Sequence, residues 1–117
     1  MSKKRVYLVG DGWGAVSACR SLLGAKFDVY AISNDDNVKK LSVPHLIASI
    51  EEIKNECIVF AGYKPIVPKF VLEKNVCINI HYSLLPSYRG LHSTVWAILN
   101  DEQYLGLTIH KMNEFID

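Results

Sequence analysis

The chain is poor in several features that would each point to a function. It has three cysteines in 117 residues, and Cys19, Cys57 and Cys77 are odd in number, far apart and set among apolar neighbours. That pattern argues against a disulfide framework and reads as reduced core thiols of a cytoplasmic protein. An excess of one charge is missing too. Thirteen Lys and Arg stand against twelve Asp and Glu, which leaves no basic footprint for nucleic acid. The short cluster Ser2, Lys3, Lys4 and Arg5 runs directly into a strand and reads as a solvated leader. No apolar run reaches the roughly 18 residues of a membrane span, and no signal peptide is visible. Repeats, low-complexity tracts and linkers are lacking. No residues stand at metal-ligand spacing, and no serine or cysteine sits in a nucleophile motif.

What the chain does have is material for a core. Half of its residues are hydrophobic, and a chain of this length suits one domain, residues 1–117, burying roughly two-thirds of its unfolded surface. Residues 5–9 read as a strand entering the small-residue turn Gly10-Asp11-Gly12-Trp13-Gly14-Ala15. Residues 16–23 read as a helix stopped near Gly24, residues 27–32 as a second strand, and residues 33–36 as a turn or helix start. Such a βαβ unit implies a parallel sheet. Further on, residues 45–47 are expected to form a short strand, with His45 at the surface or a strand end. Residues 49–53 begin a helix with acids in its first turn. Residues 58–62 form a central strand, residues 70–73 a short helix, and residues 76–80 a buried strand. The fold class is α/β: a Rossmann-like, mainly parallel sheet with helices on both faces.

Chemistry concentrates after that last strand. Polar Asn79 interrupts the apolar run and His81 follows two residues later. Strand side chains repeat every second residue, so the two point to the same side. A turn follows, then a helical segment reaching Asn100, then an apolar segment that brings His110 and finally Asp117. Taken singly, each residue has a plain structural explanation: a turn-satisfying Asn, a hydrogen-bonded His, a solvated terminal Asp. Their order is more informative than any one of them.

That order resembles the N10-formyltetrahydrofolate-dependent formyltransferases. The matching residues are the Asn-x-His pair Asn79 and His81, the loop Ser83, Leu84, Leu85 and Pro86 ending in Gly90, the pair Thr108 and His110, and Asp117. The resemblance implies formyl transfer from N10-formyltetrahydrofolate to an amine through a tetrahedral intermediate. Asn79 would stabilise the oxyanion, His81 would exchange protons, and Asp117 would orient and charge the imidazole. It also implies that Ser83, Leu84, Leu85, Pro86 and Gly90 shape the folate site and that His110 supports it. Gly62 and Tyr63 either line the pterin pocket or serve only a close backbone approach and a core cap; both readings stand.

The stretch at residues 92–100 looks most like family members that formylate nucleotide-linked amino sugars. Methionyl-tRNA and phosphoribosylglycinamide formyltransferases are the rival assignments. The family continues beyond its catalytic Asp, so the domain is expected to be incomplete at its C-terminal end, and any homodimer would form through segments after residue 117. Two readings from other classes compete. One is a catalytically silent fragment. The other is a dinucleotide-binding module built on Gly10, Gly12 and Ala15, with Asp35 about where a ribose-binding acid falls. The bulky Trp13 and the resemblance favour a tight turn that merely needs small residues.

Overall fold

The computed structural model describes residues 4–81 and 108–112. Within them, strands β1 (Arg5–Val9), β2 (Asp28–Ile32), β3 (Cys57–Ala61), β4 (Val76–His81) and β5 (Thr108–Lys111) form one sheet in the order β2-β1-β3-β4-β5. The pairs β1–β2, β1–β3 and β3–β4 are parallel, and β5 closes the row antiparallel to β4. The helices are α1 (Trp13–Gly24), α2 (Asp36–Leu41) and α3 (Lys69–Lys74). This is the expected α/β, mainly parallel arrangement.

Both faces of the central strands are covered, which is why β1 and β3 read as unbroken apolar runs without alternation. Val6, Leu8, Val59 and Ala61 pack on one face with Ala15, Ala18 and Cys19 of α1 and Val38 of α2. Tyr7, Val9, Ile58 and Phe60 pack on the other with Val71 of α3 and with Ile50 and Ile53. The α1 residues buried against the sheet are small (Gly14, Ala15, Ala18 and Cys19), so the helix lies close to the strands.

Three expectations need correction. Helix α1 starts at Trp13 rather than residue 16, because Gly12 at φ 86 turns the chain straight from the strand into the helix. At its other end Gly24 is still helical, and the left-handed residue is Lys26 at φ 71. The amides of Lys26 and Phe27 donate to Leu23 O and Leu22 O, closing a Schellman motif. Residues 45–47 form no strand. Val43 N donates to Val29 O at 2.8 Å, but the next outward carbonyl of β2, Ala31 O, takes the imidazole Nε2–H of His45 at 2.8 Å. A side chain thus fills the place of a ladder amide, and strand pairing ends there. Finally, the helix expected at residues 49–53 is a single 3-10 turn, Ile50–Glu52, capped by Ser49. Asn55, at φ 58, then turns the chain into β3 before a second turn can form.

Among the described residues, no helix is long and apolar enough to cross a membrane.

Candidate functional site

Strand β4 carries the site residues because its register is fixed on both sides. Asn79 stands opposite Phe60 of β3 and His110 of β5, and His81 opposite Thr108. Cys77 of β4 and Met112, just past β5, pack into the α3-side core. The two-residue strand period therefore puts Asn79, His81 and His110 on that same face. His81 is buried, with 5% of its surface exposed.

The amide Nδ2 of Asn79 lies 3.4 Å from Nε2 of His110, and His110 Nδ1 lies 3.3 Å from Lys111 O. One tautomer satisfies both contacts: Nδ1–H donates to the carbonyl, and Nε2 accepts from the amide. His110 thereby holds the Asn79 side chain with its nitrogen toward β5. Chemically, the cluster offers an amide donor and a buried imidazole, side by side at the carboxyl ends of parallel strands. In open α/β sheets that is where ligands bind.

Gly62 and Tyr63 leave β3 at the same end. A Cβ on Gly62 would lie 2.3 Å from Asp11 O, and its φ of +67 is one that L side chains rarely adopt. The glycine is therefore required by backbone packing, whatever else it does. Gly10 is tighter still, since a Cβ there would sit 1.7 Å from Ala61 O. The Tyr63 ring lies tilted against Phe60 with centroids 5.3 Å apart. Burial pushes its phenol up, keeping the hydroxyl protonated near neutrality. Ser83, Leu84, Leu85, Pro86, Gly90 and Asp117 lie outside the described residues.

The glycine turn after β1 is bound by the chain itself. Asp35 Oδ2 accepts from Gly12 N at 3.1 Å, while Asp35 Oδ1 accepts from Asn37 N at 2.9 Å. One carboxylate thus caps α2 and occupies the amide at the head of α1. A pyrophosphate seated there would lose a donor and meet a negative charge. The structure thereby supports the tight-turn explanation over the dinucleotide one, and Asp35 is a cap rather than a ribose ligand. The signal was in the sequence: an Asp directly before a helix start is an N-cap candidate. His45 is half-buried rather than on the surface, stacked on Tyr30 at 5.6 Å and 11°. Nothing in the sequence around it indicated that stacking. Among the described residues no group of three or more His, Cys, Asp or Glu is placed to hold a metal.

Comparison with known proteins adds a family to this geometry. Residues 25–117 match the family described as formyl transferase. A methionyl-tRNA formyltransferase of Desulforamulus reducens is 46% identical over 71 residues, 59% of this chain and 22% of that protein. A sugar N-formyltransferase structure from a Shewanella species superposes with a TM-score of 0.66 at 27% identity, covering 97% of this chain and 53% of the other. A phosphoribosylglycinamide formyltransferase structure from Bacillus halodurans gives 0.69 at 26%, covering 97% and 74%. The chain spans about a quarter of the length of the curated relatives it matches.

Proposed function

The chain belongs to the formyl transferase family, and on that premise we propose that it transfers a formyl group from N10-formyltetrahydrofolate to an amine. The observation that carries this reading is the juxtaposition of Asn79, buried His81 and His110 on one sheet face at the strand ends. The described residues suit a folate donor. Tyr63 offers an aromatic surface, and Ile66, 75% exposed, an apolar one, both in the segment that leaves β3 beside Asn79.

When bound, the donor supplies an activated formyl carbon; the protein supplies polarity and proton movement. The Asn79 amide donates to the formyl oxygen as negative charge develops on it. His81 accepts the proton that the acceptor amine must lose and returns one to the departing folate nitrogen. Asp117 orients His81, and His110 positions Asn79. Ser83, Leu84, Leu85, Pro86 and Gly90 shape the donor site together with Gly62 and Tyr63. No protein nucleophile is required, because the amine itself adds to the formyl carbon and the bond to the folate nitrogen breaks as the tetrahedral intermediate collapses.

The acceptor in this proposal is a nucleotide-linked amino sugar, and the reaction takes place in the cytoplasm. The balanced charge of the chain, 13 basic against 12 acidic residues, supports a small acceptor over a polyanion. Methionyl-tRNA is the second reading, favoured by the 46% identity to a methionyl-tRNA formyltransferase.

Calorimetry with a stable folate analogue formylated at N10, and separately with NAD, tests the core of the proposal. Heat of binding is expected for the first and none for the second; the reverse result would overturn it. Formyl transfer assayed against an amino-sugar nucleotide and against methionyl-tRNA then separates the two acceptors.

A further inference from the structure

The turns that follow β1, β2 and β3 meet at the carboxyl edge of the sheet, and Asp11 joins them. Strand β1 lies between β2 and β3, so its turn has a neighbour on either side. On the β2 side, Asp11 Oδ1 accepts from Ser33 Oγ at 2.8 Å and from Asn34 N at 2.6 Å. Those donors are 22 and 23 residues away in the chain, so the carboxylate is not satisfying its own turn. It bridges two turns. The Ser33 hydroxyl also accepts from Asp35 N at 3.0 Å, which fixes it in place for Asp11. On the β3 side the contact is main chain against main chain. Asp11 N donates to Gly62 O at 3.4 Å, and Asp11 O lies where a Cβ on Gly62 would come within 2.3 Å of it. Backbones this close move together.

The chain of contacts continues toward the Asn79 cluster. Gly62 leads into Tyr63, whose ring lies on Phe60, and Phe60 is the register partner of Asn79. Side-chain bonds therefore fix Asp11 to the β2 turn, and the Asp11 backbone in turn fixes Gly62. We propose that Asp11 is a positioning residue for the donor site: its carboxylate anchors the β1 turn, and that turn holds Gly62 and Tyr63 in place before the folate donor arrives. The assignment rests on the formyl-transfer reading above. The benefit is preorganisation, since a loop ordered in advance need not be ordered at binding. A carboxylate with a purely structural role would add stability alone. A positioning carboxylate also adds donor affinity, beyond anything that follows from stability.

The test combines amide NMR of the isotope-labelled 117-residue chain with calorimetry, using a stable folate analogue formylated at N10. Asp11→Ala removes the bridge, so the Gly62 and Tyr63 amides should shift in the free protein. Its affinity for the analogue should fall about tenfold, the order expected when a loop must be ordered at binding. Asp11→Asn removes the same charge but keeps an oxygen for Ser33 and Asn34, so it should restore both readouts toward the parent. Shifts caused by charge alone would appear in both variants. Ser33→Ala, which takes away one of the two donors, should fall between, and it carries the test if Asp11→Ala does not fold. Cys19→Ala is the stability control: it opens a gap in the core at mid-helix α1 and should lower Tm while leaving analogue affinity unchanged. Parent-like affinity in Asp11→Ala, or an equal loss in Cys19→Ala, would overturn the assignment. Should the parent bind no folate analogue, the formyl-transfer reading would fail. The tie between the turns would then stand or fall on the Gly62 and Tyr63 amides alone.

Discussion

At the scale of single residues, His110 matters because it separates positioning from chemistry. Its Nε2 meets the Asn79 amide at 3.4 Å from the adjoining strand, so replacing it leaves the amide present but without this contact to aim it. Asn79→Ala removes the proposed oxyanion donor and should lower kcat on the order of a hundred- to a thousand-fold, with KM for the folate donor changed little. His110→Gln offers a side-chain oxygen to the same amide and should retain most of kcat, whereas His110→Ala should lose about tenfold. Steady-state kinetics on the three variants, with folate affinity measured alongside, checks this ordering. If His110→Gln fell as far as Asn79→Ala, His110 would be more than a positioning residue. The placement of Asn79 and His81 on one face was legible in the sequence, since a strand period of two fixes it once the strand is recognised. That His110 would meet Asn79 was not legible. It depends on the β4–β5 register, which pairs residues 31 positions apart in the chain, and local pattern says nothing about such registers.

At the scale of elements, the junction of β1, α1 and α2 shows how one side chain can settle two helix ends. Asp35 serves both Gly12 N and Asn37 N. Asp35→Ala should therefore cost about 1–2 kcal/mol, at the upper end for a cap, and Asp35→Asn, with a single acceptor oxygen, should fall between it and the parent. Added inorganic phosphate should raise the Tm of Asp35→Ala and leave the parent unchanged, because only in the variant is the head of α1 open to an anion. Equal stabilisation of both proteins would mean that the carboxylate does not guard the turn. The far end of α1 gives a prediction of opposite sign. Lys26 holds φ 71, a conformation an L side chain adopts at a cost, so Lys26→Gly should stabilise by roughly 0.5–1 kcal/mol in denaturant titrations. The strands were readable because their apolar runs are continuous. The segment at residues 45–47 misled because its apolar and aromatic composition is that of a strand, while its one decisive bond is made by the imidazole of His45. Propensity cannot see that a side chain will take the place of an amide. The helix expected at residues 49–53 failed for a related reason: Ser49 and the acids signal a beginning, and the early left-handed turn at Asn55 truncates what they begin.

At the scale of the whole molecule, the sheet shares one property across its two cores: both bury a thiol that must stay protonated, and the α3-side core adds phenols. Cys19 lies in the α1-side core and Cys77 in the α3-side core. Burial raises both thiols. Cys77, with the neighbouring Cys57 adding to the effect, is pushed from an ordinary value of 9.0 up to about 11. Tyr7 and Tyr63 are raised by burial as well. Above the ordinary thiol value the unfolded chain releases protons that the folded one keeps, so the folded state binds more of them and its stability falls as pH rises. The stabilisation contributed by these groups is complete below about pH 9 and is lost on the way to pH 11 and beyond. The urea midpoint should therefore be insensitive to these groups up to about pH 8.5 and decline steadily between pH 9 and 11. Cys77→Ala should start lower, because a packed side chain is lost, and should decline less steeply across that window. Thiol alkylation at pH 8 supplies a second readout that no lysine or tyrosine titration can imitate. Cys77 should react only as fast as the protein unfolds, because opening either core exposes the same sheet. Rapid labelling of Cys77 in native conditions would show that the α3 side opens independently of the α1 side, and the sheet would then have to be treated as two units of stability.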